Sequence, residues 1–138
     1  MSIDRVQYKC DECQEIVAAN IGQIVINLQL KWYLSYECQE CNSTIELDDI
    51  GFLPDEIRQM ILAEEAEWKL IVNKTEIKNR AKLLKVIRQA LNLSLQEVSN
   101  LFKKFPVLNS GTKTEMQWLQ QILSQEGINS SVEKKENT

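Results

Sequence analysis

Two patterns of apolar and polar positions divide this chain. Over residues 80–106 apolar side chains recur at helical spacing, with Leu83, Val86, Ile87, Ala90 and Leu91 in one stripe and Leu95, Val98, Leu101, Phe102 and Phe105 in a second. Asn92 and Ser94 interrupt them, so the spacing predicts two helices joined by a tight turn, each with one face to bury. Ser94 and Glu97 form a capping box, in which the hydroxyl accepts from an orphan amide and the carboxylate reaches back to the cap residue's own amide. Asn92 suits a left-handed stop for the first helix. Earlier, Ile24, Ile26, Leu28, Leu30, Trp32, Leu34, Tyr36 and Cys38 occupy alternate positions. That period of two predicts one long, half-buried strand leading into Cys38. Val6–Lys9 reads as a partner strand leading into Cys10, and Ser43–Leu47 as a third strand.

The remaining elements follow from punctuation. Asp48-Asp49-Ile50-Gly51 has turn chemistry, and Pro54 with Asp55 and Glu56 opens a helix whose carboxylates sit at the positive end of its dipole. Ile57, Met60, Ile61 and Leu62 make that helix amphipathic, and it is expected to pack the preceding module against the following one. From Trp68 the order reads strand, helix, helix, short extended Val107–Leu108, helix, strand. Thr112 and Glu115 cap the last helix, Met116, Leu119, Ile122 and Leu123 form its inner face, and Gly127 ends it. Residues 133–138 have the composition of a frayed tail.

Charge sharpens the division. The 138 residues carry a net charge of −4, but residues 1–53 hold three basic and nine acidic side chains, a net −6, whereas residues 74–138 hold eleven basic and six acidic, a net +5. Such polarity fits two modules. It also argues against tight nucleic-acid binding by bulk electrostatics, so binding there is expected to be weak. No apolar run approaches the roughly 20 residues that span a bilayer, and the N-terminus lacks a basic-then-apolar secretory pattern. The expectation is a cytoplasmic protein with no membrane partner.

The strongest chemical signal is Cys10-x-x-Cys13 paired with Cys38-x-x-Cys41 across 24 residues. A two-residue gap lets one tight turn bring both sulfurs onto one ion, and two such turns complete a tetrahedral four-sulfur site of the kind zinc prefers. With no histidine in the chain, a mixed Cys/His site is excluded within one molecule. Two disulfides disagree with a reducing compartment. A redox dithiol needs one motif at a helix start beside a parallel sheet, whereas these motifs are a matched pair flanking strand-like sequence. Iron in the same cage is the remaining alternative to one structural zinc per chain. The arrangement resembles a zinc ribbon, with Gln14 and Asn42 where a knuckle usually has Gly. A two- or three-stranded sheet of this size would depend on the metal for much of its folding energy.

Catalysis lacks its usual parts. There is no histidine base, no Gly-rich phosphate loop among only four glycines, and a closed four-thiolate zinc has no open position to activate water. A non-enzymatic role is expected.

The second half carries a further resemblance. The register basic-Ala-x-Leu-Leu-Lys-x-Ile-Arg over residues 80–88, then x-Leu-x-Leu-x-Glu-x-x-x-Leu, then Pro106, resembles the C-terminal domain of the bacterial ribosomal stalk protein of the large subunit. The likeness extends over roughly residues 67–134. The family's two turn glycines are Asn92 and Ser94 here, a lysine of its second helix is Ser99, and the segment after Pro106 is shorter. The resemblance implies a β-α-α-β-α-β module. It also implies that Arg80, Ala81, Leu84, Lys85 and Arg88, which match the face that recruits translational GTPases, bind a protein partner. A helical wheel agrees, because Lys78, Lys82, Lys85 and Arg88 fall opposite the buried stripe and Leu84 lies beside them as an apolar anchor in a cationic rim.

The reading is therefore an α+β chain: a four-cysteine zinc-ribbon β-sheet over residues 1–53, a linking helix over 54–66, a stalk-like module over 67–134 and a tail over 135–138. Its expected role is a non-catalytic protein-binding adaptor or inhibitor, immunity- or antitoxin-like by analogy with other small acidic proteins. The alternative is a ribosome-associated or RNA-binding factor.

Overall fold

The computed structural model describes residues 2–73, 75, 78 and 80–136. They form two compact units, Met1–Glu64 and Glu65–Thr138.

The first unit is a four-stranded antiparallel sheet of β1 (Ser2–Lys9), β2 (Ile16–Ile26), β3 (Gln29–Glu37) and β4 (Thr44–Ile50), in that spatial order, followed by α1 (Asp55–Glu65). The single long strand expected over residues 24–38 is instead a hairpin. Asn27 and Leu28 form a two-residue turn, both with positive φ (51° and 64°), as primed hairpin turns require. Without a glycine at the second position, the turn has no strong sequence signal. The apolar alternation runs straight through it, but the faces exchange. The register pairs Ile21 with Leu34 and Val25 with Leu30, odd residues with even. Leu30, Leu34 and Tyr36 are consequently buried, whereas Ile24 and Ile26, in the same sequence phase, are exposed on the opposite face. The expected turn at Asp48 is also displaced. β4 runs on to Ile50, and the chain bends at Gly51, whose φ of 103° suits glycine and whose amide donates to the Leu30 carbonyl at 2.7 Å.

On the inner face, Val6, Val17, Ala19, Ile21, Leu34 and Tyr36 share one core with Leu53 and with Ile57 and Ile61 of α1. The Pro54 carbonyl accepts from the amides of Ile57 and Arg58, and Asp55 and Glu56 occupy the first turn. The sheet thus has a fourth strand and a helix to bury it, more core than the two or three strands expected.

The second unit is a sheet ordered β6-β5-β7, built from β5 (Trp68–Val72), β6 (Val107–Gly111) and β7 (Ser130–Lys134) with both neighbours antiparallel to β5. Its helices are α2 (Arg80–Leu91), α3 (Leu95–Phe102) and α4 (Lys113–Gln125). The order is the expected β-α-α-β-α-β. Leu70, Val72, Leu83, Ile87, Leu108, Met116, Leu119 and Leu123 are buried. Both capping boxes are made, Ser94 with Glu97 and Thr112 with Glu115. Asn92 and Gly127 take the left-handed conformations their positions called for, φ 53° and 76°.

Two expectations for this unit are corrected. The second helix ends at Phe102 instead of running to Phe105, because the amides of Lys103, Lys104 and Phe105 bond three residues back and tighten the chain into successive turns. Its apolar stripe is only partly buried, since Val98 is enclosed but Leu95 is 67% exposed. The expected tail is also partly structured. Glu133 and Lys134 pair with Lys69 and Trp68, and the Lys135 amide donates to the Glu67 carbonyl. Asn137 and Thr138 lie outside the described residues. Among the described residues no helix is long and apolar enough to cross a membrane.

Candidate metal centre and helix groove

The ends of β1 and β3 present the two cysteine turns side by side. In the first, the Cys10 amide donates to Glu15 O at 2.8 Å and the Gln14 amide donates to Cys10 O at 2.9 Å; in the second, the Cys38 amide donates to Ser43 O at 2.8 Å. The residue after each second cysteine is left-handed, Gln14 at φ 70° and Asn42 at φ 61°. Gln14 thus adopts the conformation that glycine would take more readily.

All four sulfurs lie within 4.8 Å of one another. The short separations cross between the turns, 3.7 Å from Cys10 to Cys41 and 3.6 Å from Cys13 to Cys38. Zn–S bonds of about 2.3 Å in a tetrahedron place sulfurs about 3.8 Å apart, so the spacing matches a four-thiolate cage. No cysteine is disulfide-bonded; Cys10 and Cys38 are buried, and Cys41 is exposed. The group could hold a metal ion.

The local electrostatics point the same way. The Cys13 amide donates toward the Cys10 sulfur and brings that thiol down to about 6 against the effect of burial. The Cys41 thiol is lowered by the Ser43 hydroxyl, 3.1 Å away, and by the Ser43 amide. The Glu15 amide favours a Cys13 thiolate too, yet burial and the adjoining sulfurs of Cys38, Cys41 and Cys10 outweigh it and push this thiol up to about 12. Charge thus accumulates on some sulfurs only at the expense of others, unless a cation sits among them. Sequence reading missed one support. Tyr36, noted only for its place in the apolar alternation, accepts the Asp11 amide at 3.1 Å and meets the Tyr8 ring in a tilted contact at 5.5 Å, which ties the first turn to β3. Burial raises the Tyr36 phenol above its ordinary range.

In the second unit, four of the five residues expected to face a partner lie together. Ala81, Leu84, Lys85 and Arg88 line a groove of about 600 Å³ between α2 and α3, completed on the other side by Leu93, Leu95 and Val98. Leu84 is half-buried, and Lys85 and Arg88 are exposed. Arg88 Nε donates to the Leu93 carbonyl at 3.1 Å, which holds its guanidinium at the groove's end. Arg80 is not brought to the groove; its guanidinium stacks over Phe102, 5.4 Å from the ring centroid. The apolar wall contributed by Leu93 and Leu95 was not anticipated, because helical spacing reads Leu95 as core and gives Leu93, in the turn between the helices, no face. No protein-family model matches this chain, and neither does any curated protein or solved structure.

Proposed function

We propose that this chain is a non-catalytic protein-binding module, an adaptor or inhibitor, whose first unit is held by one structural zinc ion on Cys10, Cys13, Cys38 and Cys41 and whose second unit docks a partner in the α2–α3 groove. The observation that carries the docking role is the groove's composition. Leu84, Leu93 and Leu95 offer an apolar floor and wall, with the cations of Lys85 and Arg88 at the margin. A small desolvated anchor site with a charged rim is the usual anatomy of an interface hot spot. The matching partner is an amphipathic segment with an apolar anchor and neighbouring carboxylates. Zinc is supported by four thiols at tetrahedral spacing with no fifth ligand needed, and a closed four-thiolate ion is structural because it leaves no position for substrate.

A second reading is a translation-associated factor. It is favoured by the β-α-α-β-α-β order of the second unit and by the presence of Ala81, Leu84, Lys85 and Arg88, which match the stalk domain's binding face, at one groove.

Affinity capture with the full chain tests the docking role. A partner held by the wild-type protein and by the exposed control Gln121→Ala should be lost from Leu84→Ala and Arg88→Glu, each checked as folded by circular dichroism. Truncating a buried anchor costs about 2 kcal/mol or more of binding, and a rim charge acts mainly on the association rate and its salt dependence. Equal capture by all four proteins places the contact elsewhere. A translational GTPase or ribosomal component among the groove-dependent partners selects the second reading.

A further inference from the structure

Among the described residues no strand pairs with the outer side of the first sheet's last strand. β4 is last in the order β1-β2-β3-β4, and every residue along it except Ile45 is exposed. Antiparallel pairing turns alternate residues toward and away from the neighbour, and the bond from the Gly51 amide to Leu30 O sets the phase. In the register that pairs Ile50 with Lys31, Asp48 with Tyr33 and Glu46 with Ser35, the backbone groups of Glu46, Asp48 and Ile50 point away from β3. The Ile50 amide is met by its neighbour's carboxylate, Asp49 Oδ1 at 2.8 Å. The amides of Glu46 and Asp48 face outward.

The side chains define what would fit. A groove of about 520 Å³ lies on this part of the sheet, lined by Ile24, Trp32, Tyr33 and Ile50, with the acids Asp48 and Asp49 outnumbering its one cation, Lys31. Ile24 and Ile50 are 47% and 59% exposed. Glu46, Asp48 and Asp49 place three carboxylates on seven residues of edge, in a region whose net charge is −6 from three basic and nine acidic residues over 1–53. Such charges oppose pairing with a second copy of the same strand, since like charges opposite one another destabilise a ladder. The same carboxylates attract a cationic strand.

We propose that β4 takes up an extended basic-apolar peptide segment as a fifth strand, with an apolar residue opposite Ile50, basic residues opposite Asp49 and Asp48, an apolar residue opposite Leu47 and a basic residue opposite Glu46. Main-chain bonds to Glu46 and Asp48 supply the ladder, and the Ile24–Tyr33–Ile50 groove receives the first apolar side chain. Strand addition of this kind draws affinity from the backbone and selectivity from alternate side chains. The surface belongs to the first unit and is independent of the α2–α3 groove.

The probe is the synthetic peptide acetyl-Thr-Val-Lys-Arg-Val-Lys-Thr-amide, which reads antiparallel to residues 46–50, titrated into the 15N-labelled full chain. Shifts are expected at the amides of Glu46, Asp48, Ile50, Ile24 and Tyr33, with hydrogen exchange at Glu46 and Asp48 slowed at least tenfold at saturation. Binding should weaken at least tenfold for Asp48→Lys. It should also weaken at least tenfold for the same peptide N-methylated at its arginine, an arm that uses unaltered protein. The absence of these shifts overturns the proposal. So does equal binding of the N-methylated peptide, which would mean charge attraction without a strand, and so does equal binding of a peptide with Glu in place of its three basic residues.

Discussion

The ring of Tyr33 lies directly across Gly22, its partner in the β2–β3 register, so closely that a Cβ at position 22 would run into the ring. Glycine there leaves a strand without a side chain, and the opposing aromatic covers the exposed backbone. Gly22→Ala is expected to push Tyr33 outward, into the groove beside β4. The measurable result is a shift of the Tyr33 ring resonances with a stability loss of about 1 kcal/mol, within the range of ordinary point substitutions. Unchanged ring shifts would mean that the two residues are not packed as described.

One equivalent of zinc per chain is expected from a reducing preparation. Elemental analysis far below one, with all four thiols freely titratable in the folded protein, would refute the metal assignment. Protons compete with the ion for the sulfurs, so the metal should be released as pH falls and retained as it rises. A Cys38→Ser change should loosen the first unit, whose core already includes Ile57 and Ile61 of α1. The second unit has its own core and should keep its helical circular dichroism.

The two capping boxes should differ in cost. Ser94→Ala at the exposed start of α3 removes the acceptor for the Glu97 amide, 3.1 Å away, and should cost about 1 kcal/mol in denaturant unfolding. Thr112→Ala should cost more, because Thr112 and Glu115 are buried at 1% and 0% exposure and little water can replace the lost hydroxyl. The Ser94 amide, bonded to the Glu97 carboxylate at 3.0 Å, holds that acid below its ordinary range. Its contribution is therefore present above the unfolded carboxylate value, about 4.3, and is lost as pH falls through the lower folded value. A Glu97→Gln protein should show less of that acid-side loss.

Nucleic-acid binding is expected to be weak and steeply salt-dependent. The eleven basic residues over 74–138 are offset by six acids there and opposed by the net −6 of residues 1–53. Affinity at about 150 mM salt should be no tighter than about 10⁻⁶ M, the strong end of non-specific binding. A submicromolar mobility shift under those conditions would promote the RNA-associated reading.

What the sequence determined by itself was whatever is encoded within a few neighbouring residues. The Cys10/Cys13 and Cys38/Cys41 turns, the capping boxes at Ser94 and Thr112, the left-handed stops at Asn92 and Gly127 and the β-α-α-β-α-β order each rest on short-range geometry, and each was legible. The choice of face was not. Period two continues through Asn27 and Leu28 as though the strand did, and only the pairing of odd residues in β2 with even residues in β3 decides that Leu34 is core while Ile24 and Ile26 are surface. Helical spacing likewise assigned Leu95 to an inner face. The tertiary packing exposes it and, with Leu84 and Leu93, makes it the wall of a groove. Register and helix packing join residues distant in the chain, so a one-dimensional pattern fixes how often apolar side chains recur and leaves open which surface they meet.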